Sequence, residues 1–99
     1  MKTFYIDNIE DWESFSQEHD LEISQCIIDV ALKNLDSKKR FYHVMDVECE
    51  EEDTILEITL DKKEMINTLE TNLLIQERYE QYETCAQVIK AIKYLKNKI

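Results

Sequence analysis

The chain has 99 residues, 43% of them apolar, enough for one domain with an ordinary hydrophobic core and no metal or disulfide staples. Its 22 acids outnumber its 12 bases, and the net charge of -10 works against direct binding to nucleic-acid backbones or anionic membranes. Gly and Pro are absent, so phosphate loops, dinucleotide fingerprints and nucleophile elbows, which need glycine for close approach or sharp reversal, cannot form in their usual way.

In chain order, "KTFYID" alternates Phe4 and Ile6 against Thr3, Tyr5 and Asp7, which predicts a short first strand. Asn8 caps a following helix in which Ile9, Trp12 and Phe15 form a core-facing stripe, with Glu10, Asp11 and Glu13 near its positive end. A break is expected at His19 and Asp20. A second helix then runs from an Asp20 cap to about Leu35, with Ile23, Ile27, Val30 and Ala31 as its stripe and Ile28, Leu32 and Leu35 widening it. "RFYHVMDVEC" sets Phe41, His43, Met45, Val47 and Cys49 against Tyr42, Val44, Asp46, Glu48 and Glu50, a long second strand. "TILEITLD" sets Leu56, Ile58 and Leu60 against Ile55, Glu57 and Thr59, a third. Glu50 to Asp53 between them is a length that hairpins commonly bridge with a type I turn.

Asp61 with Glu64 starts the last helix as a capping box, and an apolar pattern continues from Met65 almost to Ile99. A continuous helix there would measure about 55 Å. Its stripe shifts phase after Leu73, from Ile66 and Leu69 to Ile75, Tyr79, Tyr82, Ala86 and Ile89. The alternatives are a bend or break between Glu77 and Thr84, or a long helix whose excess packs on a second protomer. The predicted fold is α+β, in the order β-α-α-β-β-α, with a three-stranded antiparallel sheet, helices packed on it and a long C-terminal helix. No linker or repeat divides it, so residues 1–99 are read as one domain.

Charge is unevenly distributed. Thr3 to Leu32 and Phe41 to Asp61 each hold eight acids and no Lys or Arg. Bases gather at Lys38, Lys39 and Arg40 and at Lys90, Lys93, Lys96 and Lys98, where the last group complements the negative end of the final helix. Cys26, Cys49 and Cys85 are an odd count without a CxxC pair, the usage of reduced thiols in a cytoplasm. No signal-peptide core and no run of membrane-spanning length is visible, so a cytoplasmic location is expected.

The most distinctive stretch is the hairpin tip, where five of the six residues from Glu48 to Asp53 are acidic. On a strand, same-face residues repeat about every 6.6 to 6.8 Å, so Asp46, Glu48 and Glu50 form a regular anionic row, extended by Glu51, Glu52, Asp53 and Glu57. Such a row imitates part of a phosphate backbone and suits a basic partner surface. The plainer reading is a solvated turn that keeps an edge strand from aggregating. Tyr5 and Tyr42 lie on the sheet face away from Phe4, Ile6 and Met45, and serve as aromatic anchors if the protein's own helices leave that face open. Trp12, Phe15, Tyr79 and Tyr82 read as packing residues.

Metal at the tip is disfavoured because "ECEEED" lacks both alternating ligands and the glycine of a calcium loop. His43, Cys49, Cys26 and Cys85 have no local zinc-ligand spacing. Nor does any Ser/His/Asp or Cys/His arrangement suggest catalysis, so neither enzyme activity nor a cofactor is expected. In size, acidity and lack of enzyme motifs the chain resembles the small inhibitors that phages and other mobile elements carry against host defence nucleases, including anti-CRISPR proteins. The resemblance is compositional and assigns no residue a role. It implies an inhibitor that occupies the basic nucleic-acid-binding surface of a partner protein. The alternatives are an immunity or antitoxin-like protein that neutralises a basic toxin, and a homodimeric assembly protein joined through the C-terminal helix.

Overall fold

A computed structural model describes Lys2 to Lys98; Ile99, where the apolar pattern was expected to end, lies outside the described residues. Strand β1 (Lys2–Ile6) leads through a 3₁₀ turn at Ile9–Asp11 into α1 (Trp12–Glu18) and α2 (Asp20–Lys33). Strands β2 (Phe41–Cys49) and β3 (Thr54–Asp61) follow, then a second 3₁₀ turn at Lys62–Glu64 and helices α3 (Met65–Arg78) and α4 (Tyr82–Lys98). No helix among the described residues is long and apolar enough to cross a membrane.

The sheet has three strands in the order β1-β2-β3, and it is mixed rather than antiparallel. β2 and β3 pair antiparallel from Phe41 opposite Asp61 to Cys49 opposite Thr54. β1 runs parallel to β2, from Lys2 opposite Met45 to Ile6 opposite Cys49. The cause is the connection: α1 and α2 form a crossover that carries the chain back to the end of the sheet where it began, which permits parallel pairing. The alternation of "KTFYID" reports only that one face is buried, and it reads the same in either direction.

The second correction lies inside β2. Its register slips between His43 and Met45, so Val44 is an extra residue without its own partner on β3. A bulge of this kind shifts the side-chain phase by one residue. Beyond it Met45, Val47 and Cys49 face the core as expected, but before it Tyr42 points inward while Phe41 and His43 point out. Tyr42 is 6% exposed and Phe41 53%, the reverse of the simple alternation.

Helices cover one face of the sheet. Phe4, Ile6, Tyr42, Met45, Val47 and Leu60 share a core with Ile28 and Ala31 of α2, Met65 and Leu69 of α3, and Val88, Ala91, Ile92 and Leu95 of α4. Trp12 and Phe15 pack at its margin, Phe15 edge-on to Phe4 with ring centroids 5.4 Å apart. The centre line of α2 is Ser24, Ile28 and Ala31; the expected stripe residues Ile23, Ile27 and Val30 flank it, half-buried.

The long C-terminal helix is two helices forming a hairpin. The break falls within the window set by the phase shift, at Tyr79 to Gln81. Glu80 takes φ 58, its N–H donates to the Glu77 carbonyl at 3.0 Å, and the Gln81 N–H donates to the Gln76 carbonyl at 3.0 Å. These paired bonds are the Schellman arrangement that ends helices, here with glutamate in the left-handed position that glycine usually fills. Folding α4 back on α3 takes up the excess length that a straight helix would have presented to a second protomer.

Candidate functional site

Among the described residues no helix covers the other face of the sheet. Pairing fixes which side chains are neighbours there: Tyr5 lies opposite Glu48 and Glu48 opposite Ile55, while Thr3 lies opposite Asp46 and Asp46 opposite Glu57. Directly paired residues stand about 4.5–5.5 Å apart. The face therefore presents two rows across three strands, one with Glu48 between two large apolar side chains and one with two adjacent carboxylates. Tyr5 is 61% exposed and Ile55 56%. His43 approaches Asp46, with Nε2 to Oδ1 at 2.7 Å, and sets an imidazole at the end of the acidic row. At the other end is a shallow depression of about 330 Å³ lined chiefly by Tyr5, Glu48, Glu50, Asp53, Thr54 and Ile55.

The hairpin turn spans Glu50 to Asp53, as the sequence predicts. Asp53 closes it at φ 50 and donates its N–H to the Glu50 carbonyl at 3.3 Å. Aspartate is among the few residues other than glycine that tolerate this left-handed conformation. The tip does not stand free. The Glu50 N–H donates to the Ile6 carbonyl at 3.0 Å and the Glu51 N–H to the Asp7 carbonyl at 2.7 Å, which prolongs the parallel pairing past β1. The Glu51 carboxylate accepts from Asn8 Nδ2 at 3.2 Å, and the Glu52 carboxylate accepts from the Ile9 N–H at 3.0 Å. A carboxylate brought to the start of a helical segment satisfies an otherwise free donor and opposes the positive end of the peptide dipoles.

The expected site residues thus separate into three groups. Asp46, Glu48, Glu57 and Tyr5 come together on the helix-free face, with Glu50 and Asp53 at its rim. Glu51 and Glu52 are exposed but hold the tip to the β1–α1 connection. Tyr42 is corrected: it lies in the core, its hydroxyl donating to the Lys39 carbonyl at 2.8 Å, and the Val44 bulge is what turned it inward. Ile55 belongs to the face and was not among the expected residues, because its neighbours across the sheet are set by register rather than by its own segment.

Chemically the face offers carboxylate acceptors, the His43 imidazole, one phenol and the apolar side chain of Ile55. His43 and Cys49 fall on opposite faces of the sheet, and no three His, Cys, Asp or Glu among the described residues converge to hold a metal ion. Cys26, Cys49 and Cys85 are free thiols. Burial pushes the pKa of each up, and the Glu52 carboxylate adds to the effect at Cys49, so all three are held against forming the nucleophilic thiolate. Of the C-terminal lysines, Lys98 pairs with Asp36 at 2.8 Å and Lys96 with Glu70 at 3.6 Å.

Compared with protein-family models, with curated proteins and with solved structures, the chain matches none.

Proposed function

We propose that the protein is an acidic inhibitor that docks its helix-free sheet face onto the basic, nucleic-acid-binding surface of a partner protein. The observation that carries this reading is the convergence of Asp46, Glu48 and Glu57 on one open face, rimmed by Glu50 and Asp53 and centred on the exposed Tyr5 and Ile55. Fixed negative charge on a rigid sheet steers a basic partner into place and speeds encounter. Tyr5 and Ile55 supply the desolvated contact that slows dissociation. Small size and acidity suit occlusion of a basic surface, as in the inhibitors that mobile elements direct at defence nucleases.

The test is affinity capture from a lysate of the source organism, comparing wild type with a Glu48→Lys/Glu57→Lys/Tyr5→Ala variant. These three positions avoid Glu51 and Glu52, whose loss would disturb the α1 connection. The expected result is a basic nucleic-acid-binding protein that wild type retains, that added salt releases, that the variant misses, and whose binding to nucleic acid falls when wild type is added. A partner retained equally by the variant, or one that keeps its nucleic acid in the complex, would overturn the reading.

A further inference from the structure

Strand β3 is hydrogen-bonded to β2 on one side, and among the described residues no other strand pairs with it. On the helix side its Leu56 and Ile58 are only partly buried against the core, whereas their neighbours Met45, Val47 and Cys49 on β2 are sealed. The helical layer therefore covers β3 less completely than β2, sealing Leu60 but not Leu56 or Ile58. Edge strands are usually protected by lysine, proline, a bulge or short length. Here the strand has eight residues, "TILEITLD", with neither Lys nor Pro and with Glu57 and Asp61 as its only charges, and the bulge is on β2.

The backbone phase of this edge follows from one bond. The Lys62 N–H donates to the Arg40 carbonyl at 2.6 Å, so Leu60, Ile58 and Leu56 direct their peptide groups toward β2. Ile55, Glu57 and Thr59 then direct theirs to the free edge. The two ends of the hairpin also differ in charge. Glu50 to Asp53 form the tip, while Lys38, Lys39, Arg40 and Lys63 flank the base, all exposed, with Arg40 paired to Asp61 and Glu64 beside Lys63.

The geometry points to a twofold homodimer in which two β3 edges pair antiparallel and extend the sheet to six strands. Antiparallel pairing lays Asp53, at the tip end of β3, beside Lys63, at the base end of the other copy, twice per dimer. Charge also selects the register. Glu57 opposite Glu57 sets like charges together, and a register with Thr59 on the axis sets Glu57 beside Asp61. The register between these places Ile58 against Ile58 on the axis, Leu56 against Leu60, Glu57 against Thr59 and Asp53 against Lys63. It completes the burial of Leu56 and Ile58 and satisfies the free edge with the same contacts. The helix-free face stays open, and although Glu57 borders both surfaces, Ile58→Lys and Thr59→Pro leave the docking residues Glu48, Glu57 and Tyr5 in place.

Sedimentation equilibrium on the full chain tests it. Wild type is expected at twice the 11.9 kDa of one chain, and Ile58→Lys at the monomer mass with an unchanged circular dichroism spectrum. Thr59→Pro, which removes an edge-directed N–H and no bond to β2, is expected to be monomeric too. Lys63→Glu should weaken the dimer about tenfold, and adding Asp53→Lys should restore it by exchanging the paired charges. Monomeric wild type, a dimer indifferent to both Ile58→Lys and Thr59→Pro, or a Lys63→Glu defect that Asp53→Lys fails to repair would each overturn the proposal.

Discussion

Gln76 is 0% exposed, and its amide Nε2 donates to Ser24 Oγ at 3.1 Å while its Oε1 has no partner. Two polar side chains are thus committed to one bond between α2 and α3 inside an apolar core. A buried amide deprived of its partner bears its full desolvation cost, whereas replacing both partners with apolar groups is nearly neutral. Ser24→Ala is therefore expected to lower stability by about 1–3 kcal/mol. Ser24→Ala/Gln76→Leu should recover most of that loss, because the unpaired Oε1 leaves with the amide. Urea unfolding of wild type, both single variants and the double variant measures the coupling directly. A double variant no more stable than Ser24→Ala would mean that the site penalises lost volume rather than lost hydrogen bonding.

The turn between α3 and α4 depends on Glu80, whose Cβ makes its left-handed conformation costly. Glycine carries no such cost, so Glu80→Gly is expected to raise stability by about 1 kcal/mol, read as a higher urea midpoint with an unchanged slope. A lower midpoint would show that the Glu80 side chain holds the turn in some other way. The same position explains what the sequence conceals. Helix ends are commonly flagged by glycine, and in a chain without glycine only the phase shift after Leu73 betrays the break. The β2–β3 hairpin was legible because alternation and turn length are local properties of "VMDVECEEEDTILEI". The parallel pairing of β1 was not, since it depends on where a crossover of two helices delivers the chain. Nor was the Val44 bulge, because "YHVM" has apolar residues in both phases. The site inherits these limits: Asp46, Glu48, Glu57 and Tyr5 fall together because they lie beyond the bulge or on other strands, whereas Tyr42 precedes it and turns inward.

At the scale of the molecule, acidity acts in two opposing ways. The net charge of -10 repels itself at neutral pH, and protonation toward the isoelectric point of about 4.6 relieves that repulsion. Against this stand four carboxylates held below their ordinary range. Asp20 is lowered by the Tyr79 hydroxyl first and then by the Leu21 N–H and Arg78; Glu22 is lowered by Lys2 and His19. Asp36 is lowered by Lys98 and Tyr94, and Asp61 by the Lys63 N–H and Arg40. Each binds its proton less readily folded than unfolded, so its stabilisation is complete above the unfolded value of about 4 and disappears as pH falls through the folded one. Stability should hold or rise slightly from about pH 7 to pH 5 and then fall steeply below about pH 4. The acid limb should be shallower in Asp20→Asn, which cannot form the charged contacts at any pH. Salt separates the two effects: at about pH 7, where repulsion dominates, shortening the screening length to about 10 Å or less raises the urea midpoint. At about pH 4 the same salt weakens the remaining ion pairs and has little or opposite effect. A midpoint that falls with salt at neutral pH would mean that the ion pairs between Asp20 and Arg78 and between Asp36 and Lys98 outweigh the self-repulsion of the whole chain.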